Sequence, residues 1–261
     1  MCELMAICAN MKVNPEFSFK EMKIRGGKTR LHSDGWGIGF YKETQAVVYK
    51  EPKPAYSSKL AEEIVNGRKQ LMSKIFIGHI RQAMSIKRLE NTHPFKRNLF
   101  NRSWLFAHNG AKGLDNYYDK NRRSDDYFKP EGGTGSEKGF VLILNSLKEN
   151  NALKINDQVK IIKKIADNIK ESGAHFNFIM SDSEYLFCYY SGYNELYYVI
   201  RSYGNKALTL KDADFEINVS DMKKIGEKAV IIATNPLTKE EEWNKFEEGE
   251  LKVFKNGELF T

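Results

Sequence analysis

The sequence has few of the residues that interrupt or cross-link a fold. Its 261 residues include only 3 cysteines and 6 prolines, while 41% are hydrophobic. This composition argues against a disordered or linker-rich chain, and the odd, sparse set of cysteines argues against a disulfide framework. We therefore expect a single folded domain over residues 1–261, in a reducing compartment.

Long hydrophobic runs are also missing. No run approaches the roughly 20 apolar residues that a membrane-spanning helix requires. The N-terminus lacks the basic stretch and the apolar core of a secretory signal. These two absences predict a cytoplasmic protein with no membrane partner.

The positive charge is scattered rather than concentrated. The chain carries 41 Lys and Arg against 34 Asp and Glu, a net charge of +7. A nucleic-acid-binding surface would need clustered basic residues with interleaved aromatic ones, whereas here they occur in ones and twos. We expect solvated surface lysines and no nucleic-acid partner, although a modest positive field beside an anion-binding pocket is compatible with the same charge.

The histidines show no metal-ligand spacing. The five are His32, His79, His93, His108 and His175. No two of them form an HxH or HxxxH pair, and the sequence has no CxxC pair. The sequence therefore predicts no metal site, and no motif calls for a cofactor.

Short runs of strand length and segments of helical spacing recur along the chain. The strand-like runs cover residues 75–80, 104–107, 176–180, 185–190, 196–200 and 229–233, and helical spacing covers 60–65, 140–147 and 155–169. Strands thus flank two adjacent central helices. This order favours an α+β fold, with sheets stacked between helix layers, over a repeating parallel unit of strand and helix.

Polar segments between these runs predict turns and one loop. Residues 182–183, 192–194 and 256–257 have the composition of hairpin turns. Residues 115–133 are polar and charged, which predicts a long surface loop of the kind that borders a functional site.

Cys2 has the most distinctive chemistry. Cysteine is small enough at position 2 to permit removal of Met1. The chain would then begin with Cys2, which carries a thiol and a free α-amine on one residue. An α-amine titrates at about 7.7–8.0 and could accept the thiol proton, so nucleophile and base would arrive together. On this feature alone, a cysteine that merely happens to stand second is the better interpretation. Cys8 and Cys188 lie in apolar stretches and are predicted core residues.

Three further features each have a functional and a purely structural interpretation. Residues 32–40 place three glycines among aromatics, which indicates either a close backbone approach or a turn. Arg81 ends a predicted buried strand, where a guanidinium could hold a carboxylate, although a surface arginine is the usual reading. Asn109 and Gly110 form a turn signal that also offers two donors for an oxyanion.

Taken in order and spacing, these segments resemble the class II glutamine amidotransferases, which are N-terminal nucleophile hydrolases. The segments are Cys2, HSDGWG at 32–37, GHIR at 78–81, NTHPF at 91–95, HNG at 108–110, TGSE at 134–137 and ATNPLT at 233–238. The last segment is similar to the branch of the family that consists of the glutaminase-like domain alone. The resemblance covers nearly the whole chain.

The resemblance implies a fold and a set of roles. The fold is a four-layer αββα sandwich of two mainly antiparallel sheets. Cys2 corresponds to the nucleophile and its α-amine to the base, while Asn109 and Gly110 correspond to the oxyanion hole. Arg81 corresponds to the arginine that grips the substrate α-carboxylate.

His93 and Trp36 lie in two of the shared segments, and we expect them at the substrate-binding site. The implied activity is hydrolysis of the γ-amide of glutamine or of a γ-glutamyl compound through a cysteine thioester. Any ammonia acceptor would be a separate partner protein. The alternative is a catalytically weak binding or regulatory protein that retains the fold.

One position departs from the family pattern. Many members carry an aspartate between the Thr and Ser of the TGSE segment, where it binds the substrate α-ammonium, but this chain has Gly135. The ammonium would then be bound by another acid, would go unrecognised, or would belong to a different substrate. The candidate acids in the sequence are Asp34, Asp125, Asp126 and Glu137.

Overall fold

Two antiparallel sheets form the centre of the molecule. The computed structural model describes residues 2–83, 87–110 and 112–261. The strands are β1 (Glu3–Val13), β2 (Gly35–Lys42), β3 (Gln45–Glu51), β4 (Ser73–Arg81), β5 (Phe95–Leu99), β6 (Arg102–Asn109), β7 (Asn177–Ser181), β8 (Leu186–Tyr190), β9 (Tyr197–Ser202), β10 (Ala207–Thr209), β11 (Glu216–Asn218), β12 (Lys228–Ala233), β13 (Asn244–Lys245), β14 (Glu250–Lys255) and β15 (Glu258–Leu259). The helices are α1 (Glu16–Arg25), α2 (Lys59–Val65), α3 (Leu114–Asn121), α4 (Gly135–Glu149), α5 (Ile155–Glu171) and α6 (Val219–Met222).

The strands are ordered so that β1 lies inside its sheet. A seven-stranded sheet has the order β13-β9-β12-β1-β4-β2-β3, and a six-stranded sheet has the order β15-β14-β8-β7-β6-β5. A short hairpin of β10 and β11 stands apart from both. Residues 3–9 of β1 are buried on both faces, as expected for a strand with neighbours on each side and layers above and below.

Three apolar clusters separate four layers. One cluster joins α1 and α2 to the outer face of the seven-stranded sheet, for example Phe19 and Ile64 against Met5. A second cluster lies between the two sheets. A third packs α3, α4 and α5 on the outer face of the six-stranded sheet, for example Phe140 against Phe106. The expected αββα sandwich of two antiparallel sheets is confirmed.

Side-chain alternation assigns each residue of β1 to a face. Leu4, Ala6 and Cys8 belong to the cluster between the sheets, whereas Met5 and Ile7 face the α1 and α2 layer. Since successive side chains on a strand point to opposite faces, a residue two positions before Leu4 belongs on the inner face. The start of β1 therefore presents the side chain at position 2 to the space between the sheets.

Glycines in β2 allow the two sheets to approach closely. A Cβ at Gly39 would lie 2.8 Å from Leu105 Cδ1 of the second sheet, and a Cβ at Gly37 would overlap the His93 carbonyl oxygen. Of the two explanations for these glycines, close backbone approach is confirmed and a turn is not.

Two loop predictions are wrong. Residues 115–133 do not form one long loop, because α3 occupies Leu114–Asn121 and buries Leu114 and Tyr118, which are four residues apart. Residues 192–194 do not close a hairpin either. They join β8 of the six-stranded sheet to β9 of the seven-stranded sheet, so this segment is a crossover between the two layers.

Candidate active site

Three strand ends meet at one edge of the space between the sheets. Strand β1 begins beside the end of β4, where Glu3 lies opposite Ile80. Strand β6 of the second sheet ends at Asn109, and its alternate residues Leu105 and Ala107 belong to the cluster between the sheets. Cys2, Arg81 and Asn109 all share the parity of these inward-facing residues, so the three side chains converge on this edge.

Cys2 is partly exposed at this edge. Its Sγ donates a hydrogen bond to the carbonyl oxygen of Gln82 at 3.3 Å. Burial of the sulfur raises the pKa of the thiol, and the positive charge of Arg81 opposes that rise. A thiol with a raised pKa is protonated at neutral pH, so nucleophilic attack would require a base to take its proton.

Asn109 reaches Cys2 from the opposite sheet. It is 1% exposed, and its side-chain Nδ2 donates to the Cys2 carbonyl oxygen at 2.6 Å. A carboxamide nitrogen carries two hydrogens, so a second N–H remains to serve a substrate oxygen. The side-chain Oδ1 accepts a hydrogen bond from Asn194 Nδ2 at 2.7 Å.

The position after Asn109 accepts only glycine. A Cβ at Gly110 would overlap the His175 carbonyl oxygen and would lie 2.5 Å from His108 Nε2. The absent side chain lets the backbone pass between these groups, directly beside the donor of Asn109.

Buried His108 holds the end of β6 in place. Its Nε2 lies 3.0 Å from the His175 carbonyl oxygen and its Nδ1 lies 2.8 Å from Ser136 Oγ. Burial lowers the pKa of His108 to about 4, so the ring is neutral at physiological pH. A carbonyl oxygen only accepts, so Nε2 carries the hydrogen and Nδ1 accepts from the Ser136 hydroxyl. Helix α4 is tied to the candidate oxyanion site in this way.

Arg81 ends β4 and is 3% exposed. Its backbone carbonyl accepts a hydrogen bond from Asp34 N at 3.0 Å. Burial lowers the pKa of the guanidinium, whereas the Cys2 thiol and the Asp34 carboxylate counteract that change. Arg81 therefore places a largely buried positive charge next to Cys2.

Asp34 is already engaged by the chain that follows Arg81. Its Oδ2 accepts from Ala83 N at 2.8 Å, and its Oδ1 pairs with Lys87 Nζ at 2.7 Å. These contacts help to lower the pKa of Asp34 despite the opposing effect of its burial. The Asp34 carboxylate thus connects the residue before β2 to the segment that follows β4.

The outer face of β1 is anchored by a buried ionic group. Arg25 Nη1 binds Glu3 Oε2 at 3.0 Å, and the same guanidinium donates to the carbonyl oxygens of Asn235 at 3.2 Å and Pro236 at 2.8 Å. Thr234 Oγ1 accepts from Leu4 N at 2.9 Å. The segment at 233–238 thus fixes the backbone that carries Cys2.

His93 and Trp36 occupy different environments. His93 is buried, and its ring lies 4.1 Å from that of His79, centroid to centroid. Trp36 is fully buried in the cluster of α1 and α2, 5.7 Å from the Phe19 ring, and its indole N–H donates to Glu51. The structure brings His93 toward the inner layer but places Trp36 on the outer face, so its part in substrate binding stays a prediction.

The exposed carboxylate of Asp115 lies beside Gly135. A Cβ at Gly135 would lie 3.4 Å from Asp115 Oδ2, and Asp115 Oδ1 pairs with Lys138 Nζ at 2.7 Å. Asp115 is not among the acids that the sequence suggests, since no motif marks it. Asp115 lies in the first turn of α3, and its position beside Gly135 arises only from a tertiary contact.

Two of the acids predicted from the sequence, Glu137 and Asp126, have other partners. Glu137 is 1% exposed; it pairs with Arg97 and accepts the backbone N–H groups of Glu131 at 3.0 Å and Gly132 at 2.7 Å. Asp126 Oδ2 accepts Arg123 N at 2.9 Å. Glu137 therefore shapes the loop before α4 rather than facing Gly135.

In residues 2–83, 87–110 and 112–261, no three His, Cys, Asp or Glu side chains are gathered in a way that could hold a metal ion. Within the same ranges, no helix has both the length and the apolar composition needed to cross a bilayer.

The layers and the site together define a class of protein. Two antiparallel sheets between helix layers, with a cysteine at the inner edge, are the fold of the N-terminal nucleophile hydrolases. Comparison of the sequence with protein families gives the more specific assignment: the chain belongs to the class II glutamine amidotransferases, whose family pattern matches residues 1–261.

Individual relatives are similar to this chain over nearly all of its length. The chain is 36% identical to an Escherichia coli protein named "Putative glutamine amidotransferase YafJ", over 99% of each chain. It is 42% identical to an uncharacterized protein of Methanocaldococcus jannaschii, over 99% of this chain and 70% of that protein. A crystal structure described as a "predicted glutamine amidotransferase" from Pseudomonas aeruginosa superposes with a TM-score of 0.73 at 28% identity, over 100% of both chains.

Proposed function

We propose that this protein is a cysteine amidohydrolase that cleaves the γ-carboxamide of glutamine or of a γ-glutamyl compound. The observation that carries the proposal is the 2.6 Å contact between Asn109 Nδ2 and the Cys2 carbonyl oxygen. It joins a side-chain amide donor of one sheet to the first residues of the other. Acyl transfer requires such a donor beside the nucleophile.

The reaction begins with removal of Met1, which exposes the α-amine of Cys2. The amine accepts the thiol proton, and the thiolate attacks the amide carbon. The carbonyl oxygen becomes an oxyanion, bound by Asn109 Nδ2 and the backbone N–H of Gly110. The protonated amine then gives its proton to the leaving nitrogen as the C–N bond breaks, and a thioester remains.

Water completes the cycle. The α-amine takes a proton from water, hydroxide attacks the thioester, and the thiolate leaves with the proton that the amine returns. The products are glutamate and ammonia or an amine. Ammonia would be released or passed to an acceptor protein. Because a thiol nucleophile is vulnerable to oxidation, the reducing cytoplasm is the proposed compartment.

Substrate recognition is assigned to the charges around this edge. Arg81, which is 3% exposed beside Cys2, would bind the substrate α-carboxylate. Asp115 would take the place of the acid missing at Gly135 and bind the α-ammonium, since its Oδ2 lies 3.4 Å from where a side chain at 135 would begin. His93, buried against His79, would shape the inner wall of the site.

A hydrolysis screen tests the proposal. Protein whose mass shows loss of Met1 is incubated with L-glutamine, γ-glutamyl peptides and L-asparagine, and released glutamate and amine are measured. We expect turnover of a γ-glutamyl amide that Cys2→Ala abolishes and Cys8→Ala retains. Equal turnover in the Cys2→Ala variant would refute the proposal. Binding of these compounds without turnover would favour the binding or regulatory protein.

A further inference from the structure

A second asparagine controls the orientation of the Asn109 side chain. A carboxamide can rotate by half a turn and exchange its donor and acceptor positions. Asn194 Nδ2 donates to Asn109 Oδ1 at 2.7 Å, which leaves Asn109 Nδ2 to face Cys2 at 2.6 Å from its carbonyl oxygen. The donor thus faces the nucleophile and the acceptor faces away from it.

We propose that Asn194 is a positioning residue, which holds Asn109 in the one orientation that can stabilise an oxyanion. This inference rests on the proposed function, because it assigns Asn109 its part in acyl transfer. It extends that function to a residue in the crossover between the sheets, a segment that no sequence motif of the site includes.

The crossover that carries Asn194 is itself fixed to the six-stranded sheet. Asn177, at the start of β7 and 1% exposed, donates from Nδ2 to the carbonyl oxygens of Tyr193 and of Asn194, the latter at 2.6 Å. Its Oδ1 accepts from Ser191 N at 2.8 Å and from Ser191 Oγ at 2.9 Å. The four contacts bind both ends of the turn to one side chain.

Register brings this anchor next to the site. Asn177 lies directly opposite Asn109 in the ladder between β7 and β6. The Tyr193 ring also stacks on His175 at 3.8 Å between centroids. The hydrogen-bonded chain therefore runs from Ser191 through Asn177 and Asn194 to Asn109, and it ends at Cys2.

The backbone at Asn194 explains why this residue type stands there. Its φ is +53°, in the left-handed region that asparagine tolerates better than most residues. Asparagine supplies both this conformation and a short side-chain donor. Glycine would keep the conformation and remove the donor, and aspartate would keep the shape but replace the donor with acceptor oxygens.

These two substitutions give the test. In Asn194→Gly, Asn109 loses the partner that fixes its orientation, and we expect kcat to fall about 10-fold with KM little changed, a fraction of what loss of the oxyanion donor itself would cost. In Asn194→Asp, the carboxylate attracts Asn109 Nδ2 and turns Oδ1 toward Cys2. We expect this isosteric variant to lose more kcat than Asn194→Gly. The substrates are L-glutamine and γ-glutamyl-p-nitroanilide.

A matched control separates the side chain from the backbone. Asn256 has a φ of +50° at the β14–β15 turn, so Asn256→Gly makes the same change away from the site and should retain kcat. Alkylation of Cys2 by iodoacetamide passes through no oxyanion. Its rate should therefore be unchanged in both Asn194 variants, whereas a general disturbance of the site would alter it.

The Asn109→Ala background distinguishes this inference from the function on which it rests. If Asn194 acts through Asn109, adding Asn194→Gly to Asn109→Ala should cost nothing further. A full second loss would overturn the inference, and so would unchanged kcat in both Asn194 variants when Asn109→Ala is strongly impaired. Unchanged kcat in Asn109→Ala itself would overturn the oxyanion role and the inference together.

Discussion

Two cysteines on the same face of β1 have very different surroundings. Cys2 lies at the edge where Arg81 and Asn109 converge and is partly exposed. Cys8 is 0% exposed, about 20 Å further along the strand by its rise per residue. It lies beneath a depression of about 240 Å³ at the other end of the layer, where Arg102 is paired with Asp182 at 3.2 Å and Glu184 at 2.7 Å.

A raised thiol pKa is common to the two residues. Burial raises the pKa of both, to about 11 for Cys8. The two thiols differ in their neighbouring groups. Of the two residues, only Cys2 would have an α-amine after Met1 removal and a carboxamide donor beside it. Under the proposed function, we therefore expect reactivity at this edge to depend on a nearby base and oxyanion donor rather than on a thiolate that exists beforehand.

The largest expected effect is the loss of the proposed nucleophile, Cys2. Cys2→Ala should lower kcat at least about 10³-fold, because the proposed thioester forms on the Cys2 sulfur. Cys8→Ala removes a thiol from the same face of the same strand and should retain kcat. Steady-state glutamate release measures both. Similar losses of kcat in the two variants would contradict the proposed difference between Cys2 and Cys8.

Loss of the carboxamide donor comes next. Asn109→Ala should lower kcat by about 10²–10³-fold with little change in KM, since the donor acts mainly on the oxyanion. Asn66→Ala, which removes an exposed contact to Glu62 at the end of α2, is the matched control. A KM effect without a kcat effect would move Asn109 from oxyanion stabilisation to ground-state binding.

A smaller effect is expected from Asp115, the proposed partner of the substrate α-ammonium. Asp115→Asn should raise KM for L-glutamine about 10-fold, the value of a charge-assisted hydrogen bond, with kcat little changed. Asp119→Asn alters the same helix at an exposed position, paired with Arg122, and should leave KM unchanged. An unaffected KM in Asp115→Asn would leave the ammonium without its proposed partner.

The smallest effect concerns the stability of the fold. It should come from the two buried histidines, His79 and His93, at the same end of the layer as Cys2. Burial lowers the pKa of His79 to about 3 and that of His93 well below its usual value. In the unfolded chain these rings take up protons as the pH falls through about 6.5. In the folded chain they take up protons only at lower pH. Their contribution to stability is therefore complete above pH 6.5 and is lost as pH falls below it.

Urea unfolding between pH 7.5 and 5 measures this dependence. In His93→Phe, the slope of unfolding free energy against pH below 6.5 should decrease by about 1.4 kcal/mol per pH unit. His175→Gln, at a partly exposed ring, should change the slope less. An unchanged slope in His93→Phe would show that this ring is protonated in the folded protein.

Much of the fold follows from local sequence patterns. The runs at 75–80 and 229–233 lie within β4 and β12, and the helical spacing at 155–169 became α5, with Ile162, Ala166 and Ile169 buried. Periodicity reports which face of an element is buried, so such elements are readable from sequence. It does not report which sheet a strand joins. The composition of residues 192–194 therefore predicts a hairpin, whereas the segment crosses between the two sheets.

The site shows the same limit. Cys2, Arg81, Asn109 and Gly110 stand in recognisable motifs, and the structure brings them to one edge. Asn194 and Asp115 carry no motif, since each acquires its place only through tertiary contacts, with Asn109 and beside Gly135. Trp36 lies in a motif but faces the outer helix layer, because one step along a strand reverses the face.

Covalent labelling by a glutamine analogue tests the central claim most directly. Protein that lacks Met1 is treated with 6-diazo-5-oxo-L-norleucine. The diazo carbon of this reagent takes the thiol proton and then alkylates the sulfur with loss of N₂, and the adduct is located by peptide mass mapping. The account predicts one adduct per chain, on Cys2, slowed by L-glutamine and absent in Cys2→Ala. Absence of an adduct, or an adduct on Cys8 or Cys188, would contradict it.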